Sequence, residues 1–141
     1  MPTQQSAWTH GTSVQFQTQS WAIRALRQGF WTTVTPSTDA TSGWVHFAIP
    51  TVGVNLKAQL AMIRFSTGSQ ASIGAIHVFD GETLILQKDS LNLKGNLQFH
   101  PEPIPSKPEV KWGTGISLLL NFSGTGTDAW INLIGAGMEF V

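Results

Sequence analysis

Cysteine is absent from the 141-residue sequence, which removes thiol catalysis, cysteine-ligated zinc and any disulfide framework, and fits a reducing compartment. Charge is nearly as scarce. Eight Lys and Arg balance eight Asp and Glu, and charged residues make up 11% of the chain against about 25% in an average globular protein. Without a basic patch to neutralise phosphates, nucleic acid is not expected as a partner. No apolar run nears the roughly 20 residues that cross a bilayer. Met1-Pro2-Thr3-Gln4-Gln5-Ser6 has neither the basic nor the apolar segment of a secretory signal. The expectation is a soluble, cytoplasmic chain with no membrane partner. His10, His46, His77 and His100 stand far apart, with no His-x-His or His-x3-His pair, so no metal site is expected. No Ser-His-Asp order, phosphate loop or dinucleotide fingerprint is present, and no cofactor is expected.

Tyrosine is missing, while tryptophan occurs six times. Trp supplies large flat surfaces for cores, interfaces and ligands alike. One of the six opens the clearest strand in the chain, Gly43-Trp44-Val45-His46-Phe47-Ala48-Ile49, which Pro50 ends because proline has no N–H for a ladder. Alternation puts Val45, Phe47 and Ile49 on a core face and Trp44, His46 and Ala48 on the other.

Around it the chain reads as short strands and turns. Trp8-Thr9-His10-Gly11 leads into a strand in which Val14 and Phe16 alternate with Gln. Residues 21–27 fit a strand at least as well as a helix, and Phe30 to Val34 is β-rich up to Pro36. Residues 36–43 form a loop. Strands follow at Gln59 to Phe65, and at Ser72 to Phe79 and Thr83 to Gln87 around Asp80-Gly81-Glu82, a hairpin signal. The Pro-rich residues 101–108 read as an extended surface connection, and Gly115 to Phe122 and Ala129 to Val141 close the chain as two long strands. This spacing, with no helix longer than two turns, predicts a single all-β domain over residues 1–141. An antiparallel, jelly-roll-like β-sandwich is expected, with a small closed β-barrel as the alternative.

Several strands are apolar on both faces: Leu60 and Met62 oppose Ala61, Ile63 and Phe65, and Ile73 and Ala75 oppose Ile76 and Val78. A partner subunit, a long loop or a ligand cavity is expected over the second face. A near-zero net charge favours a homo-oligomer. By parity Trp44 and His46, Leu60, Met62 and Arg64, and Ile73, Ala75 and His77 form three single-face sets. If these faces coincide, His46, His77 and Arg64 converge as acid, base or anion holder beside aromatic walls. Trp112 and Trp130 sit beside Gly-, Thr- and Asp-rich loops that offer hydrogen bonds next to a stacking surface. Asp80 is accounted for by turn chemistry at an exposed hairpin tip.

Trp8-Thr9-His10-Gly11, Trp44 to Thr51, His77-Val78-Phe79-Asp80-Gly81 and Pro108 to Ser117, in that order, resemble a family of small uncharacterised microbial proteins. The resemblance implies one compact β domain and assigns no chemistry. Three functions follow from the residues. The leading one is a carbohydrate-binding, lectin-like protein for a neutral small molecule or glycan, with Trp44, His46, Arg64, His77, Trp112 and Trp130 as ligand-binding candidates. The others are a cofactor-independent cyclase or isomerase using His46, His77 or Arg64, and a self-assembling structural protein.

Overall fold

The computed structural model describes residues 4–17, 22–37 and 41–141, and of residues 22–24 the backbone alone. Trp21, read as the start of a strand, and residues 38–40 of the loop before Ser42 lie outside the described residues. The described residues form eleven strands: β1 Gln5–His10, β2 Gln15–Phe16, β3 Ala22–Arg27, β4 Thr32–Pro36, β5 Ser42–Ile49, β6 Ala58–Thr67, β7 Ala71–Asp80, β8 Thr83–Lys88, β9 Gln98–Pro103, β10 Thr114–Phe122 and β11 Ile131–Phe140. Among the described residues the sole helical element is a 3-10 turn, Gly11–Ser13, capped by the His10 side chain, which accepts from Thr12 N–H.

The strands form two antiparallel sheets, not a closed barrel. One has the order β3-β4-β11-β6-β9, with β1 also paired to β11; the other is β2-β5-β10-β7-β8. Chain-adjacent β10 and β11 lie in different sheets, so residues 123–130 cross from one layer to the other. The result is a jelly-roll-like sandwich. Its core is filled by alternate residues from both inner faces. Val45, Phe47 and Ile49 from β5, Ile116, Leu118 and Leu120 from β10, and Ala61, Ile63 and Phe65 from β6 are all buried. Full burial of a side chain such as Phe47 stabilises by about 1.5–3 kcal/mol.

Three expectations change here. The register of β10 against β7 slips between Leu119 and Leu120, so Ala75 faces Leu119 while Ile73 faces Leu120. Ile73 therefore turns into the core, where it is buried, and does not share a face with Ala75 and His77. One extra residue reverses every facing beyond it. The second change is at Pro101 and Pro103, which are part of β9 rather than a free connection. β9 ends its sheet and pairs with β6 alone, so proline's missing N–H is tolerated there. Third, the first strand is β1 itself, which contains Trp8, and β2 is a two-residue element after the 3-10 turn.

On the outer face of the six-stranded sheet, part of the cover over β6 comes from the chain itself. Trp8, Gly137, Met62 and Pro101 form one cross-strand row, in which Met62 is buried. The Trp8 indole lies over Gly137, where a Cβ would come within 2.6 Å of the ring, and its centroid is 6.3 Å from that of Phe99.

Candidate functional site

The outer face of the five-stranded sheet carries the most developed group of polar and aromatic side chains. Register sets it up. Gln15, His46, Ser117, His77 and Gln87 stand opposite one another on β2, β5, β10, β7 and β8. The next row on one side holds Trp44, Leu119 and Ala75, and on the other Ala48, Gly115 and Phe79. Parity alone puts these residues opposite the core set of β5.

Two hydrogen-bonded groups run across this face. His46 Nε2 lies 3.1 Å from Gln17 Oε1, and its Nδ1 lies 2.7 Å from Ser117 Oγ. With Nε2–H donated to the Gln17 carbonyl, Nδ1 accepts the Ser117 hydroxyl proton, and the hydroxyl oxygen keeps lone pairs for a ligand. His77 Nε2 is 2.8 Å from Asp89 Oδ1, and Gln87 Nε2 donates to Asp89 Oδ2 at 2.6 Å. The Trp44 indole crosses β10 to meet the His77 ring, with centroids 4.8 Å apart and planes at 48°. Gln17, Trp44, His46, His77, Phe79 and Ser117 line one open, shallow pocket of about 150 Å³.

The electrostatics favour a neutral His46. Partial burial disfavours its charged form and pushes its pKa below the ordinary histidine value of 6.5. Asp89 is held below the usual carboxylate value first by the hydrogen bond from His77, then by that from Gln87. Among the described residues, no Lys or Arg lines the pocket.

His46 and Ser117 resemble two members of a nucleophilic triad, but the surroundings do not complete one. Ser117 sits mid-strand between β5 and β7, so its own backbone N–H and those of its strand neighbours are taken up in ladders instead of being left to hold an oxyanion. The arrangement is suited to holding hydroxyl groups against an aromatic surface.

The other sequence candidates go elsewhere. Arg64 is exposed on β6, in the cross-strand row Phe99, Arg64, Gly135 and His10 on the outer face of the opposite sheet. It therefore does not converge with His46 and His77, because β6 belongs to the other layer. Trp112 lies beyond the β5–β10 ladder, in the loop that enters β10. Trp130 is half-buried at the opposite end of the sandwich, where its carbonyl accepts from Gly68 N–H and its indole nitrogen abuts Gly68. Asp80 is no exposed tip residue. It is buried, and its carboxylate accepts backbone N–H bonds from Lys111, Trp112 and Gly113 at 2.8–3.2 Å. Gln17, Phe79, Asp89 and Ser117 escaped sequence reasoning. For Ser117 a signal exists, a lone hydroxyl inside the apolar run Ile116-Ser117-Leu118-Leu119-Leu120.

A model of a family of unknown function, DUF6623, matches residues 1–141. The chain belongs to this family. No curated protein matches the sequence. Solved structures similar to this member of DUF6623 include the xylan-binding module CBM86 from Roseburia intestinalis, at 9% identity and TM-score 0.57, with 96% of each chain covered. CBM27-1 of Caldicellulosiruptor saccharolyticus in complex with mannohexaose is 10% identical at TM-score 0.53, covering 92% of this chain and 91% of its own. A cyclase from Fischerella sp. TAU in complex with 4-(1H-indol-3-yl)butan-2-one is 10% identical at TM-score 0.51, covering 94% and 88%. At these identities the likeness of the DUF6623 chain to the three is one of fold.

Proposed function

We propose that the protein binds a neutral carbohydrate on the outer face of its five-stranded sheet. Trp44 is the stacking surface, and Gln17, Ser117 and His77 are the hydroxyl partners. The observation that carries this reading is the indole of Trp44 lying against a fixed row of hydrogen-bonding groups in one open pocket. A sugar ring has an apolar C–H face and a rim of hydroxyls, and the two halves of this pocket match them. The lack of a lining cation among the described residues, with Asp89 beside His77, disfavours an acidic sugar. The xylan-binding module and the mannohexaose complex among similar folds support the ligand class. Titration calorimetry with neutral oligosaccharides tests it. Trp44→Ala is expected to weaken binding at least ~10-fold, about 1.4 kcal/mol. An unchanged affinity in that variant defeats the proposal.

A second reading, a cofactor-independent cyclase or isomerase, draws on His77. This ring is paired with a carboxylate and tilted against an indole, which puts an acid–base group beside an aromatic wall. The fold likeness to the Fischerella cyclase supports it. The openness of the pocket counts against it, since water is not excluded from the reacting atoms. If a turnover is found and both His46→Ala and His77→Ala leave it unchanged, this reading is wrong.

A further inference from the structure

The geometry points to a second sugar-stacking site at Trp112, in the cleft between residues 51–55 and 109–113. This inference extends the carbohydrate reading above to a different surface. Trp112 is 77% exposed and Val54, across the cleft, 84% exposed. Exposure alone is common for single apolar residues. What sets Trp112 apart is how firmly its backbone is held. The buried Asp80 carboxylate takes the N–H groups of Lys111, Trp112 and Gly113. Val110 N–H donates to Leu56 O and Gly81 N–H to Gly113 O, each at 2.8 Å.

Gly81 supplies the base of the arrangement. It has φ +57°, and a Cβ there would stand 3.0 Å from Trp112 Cβ and 3.3 Å from two ring carbons. Glycine thus permits both the hairpin turn and the close approach of the indole. A fixed backbone presents a large flat ring to solvent, the ordering that a stacking contact otherwise has to supply on binding. The adjoining cleft holds about 350 Å³ and is lined by Thr51, Asn55, Glu109 and Lys111 besides Val54 and Trp112. Hydroxyl, amide and both signs of charge around an indole form hydrogen-bonding partners for sugar hydroxyls, with no net charge that would demand an ionic ligand.

The β7 strand and its turn connect the two sites. Gly81 is four residues beyond His77 along the β7 strand and its turn, about 14 Å at ~3.4 Å per residue. Two sites joined so closely act on one polymer with a high effective concentration, so binding to a polysaccharide exceeds binding to either site alone.

Affinity electrophoresis in gels containing soluble xylan, galactomannan or mixed-linkage β-glucan tests this with four proteins: wild type, Trp44→Ala, Trp112→Ala and the double variant. Retardation on at least one polysaccharide is expected to fall at least ~10-fold in each single variant and to vanish in the double. Equal retardation of Trp112→Ala and wild type overturns the second site while leaving the Trp44 reading intact. Loss in Trp112→Ala with none in Trp44→Ala overturns the Trp44 reading and leaves the cleft. Absence of retardation of the wild type on all three gels overturns both. Circular dichroism of each variant confirms that the fold persists.

Discussion

Replacing Asp80 by Ala removes the acceptor of three backbone N–H groups at once. Hydrogen bonds to a charged group contribute about 1.5–3 kcal/mol each, so three at the lower end sum to roughly 4–5 kcal/mol. Two effects reduce this. Burial itself disfavours the carboxylate, and water can reach part of the freed 111–113 segment. A net loss of about 3 kcal/mol remains, near 10 °C in Tm for a chain of this size. The loss has a pH signature. Burial raises the pKa of Asp80, yet the three N–H bonds, with the charge of Lys111, outweigh it and hold the group below its ordinary value of 3.8. A lowered carboxylate contributes stability that is complete above its unfolded pKa and disappears as pH falls through the folded one. Urea denaturation of wild type and Asp80→Ala should therefore show the full gap at pH 7 and a gap that closes progressively below pH 4. A difference under 1 kcal/mol at pH 7, or one that stays constant down to pH 2, would mean that the ionised Asp80 does not hold the 111–113 segment.

His46 has the opposite proton preference from a histidine that gains an acidic partner. Its folded pKa lies below 6.5, so the unfolded chain takes up the proton more readily, and the stability contribution of neutral His46 declines as pH drops below 6.5. Thermal melts of wild type and His46→Gln from pH 8 to 5 check this: the wild type should lose more stability over the range. Gly11 and Gly74 offer a contrast in packing. A Cβ on Gly11 would overlap the backbone carbonyl of Leu133, whereas on Gly74 it would meet the terminal amide of Asn121. Gly11→Ala should cost about 3 kcal/mol, the upper end of the usual range for overpacking, and Gly74→Ala under about 1.5, because a side-chain amide can turn aside. Chemical denaturation of both variants decides it; equal losses would mean that the Leu133 backbone yields as readily as the Asn121 amide.

Much of this architecture is legible in the residues. Period-two alternation reads β5 correctly because its core face is unbroken from Val45 to Ile49, and the Asp-Gly turn places the β7–β8 hairpin. Layer membership is not local information. Arg64 and His46 satisfy the same parity rule, yet β6 and β5 lie in different sheets, and only long-range pairing assigns them. The slip at Gly74 is hidden for a related reason: a bulge adds a residue without altering composition, and it moved Ile73 from the expected site face into the core. Asp80 was legible as a turn former, while its partners 31 to 33 residues away were not. For the candidate site, Trp44, His46 and His77 were visible as unusual residues on strands. Ser117 and Gln17, which join them into one surface, become visible through register.

Whether Trp44 and its polar row hold a sugar, as proposed, is open to a direct test. Titration of neutral oligosaccharides followed by NMR chemical-shift mapping tests it most directly. Shifts are expected to concentrate on the Trp44 indole N–H, the imidazoles of His46 and His77 and the amide of Ser117. Ligand-dependent shifts that leave these four residues unmoved would contradict the proposal.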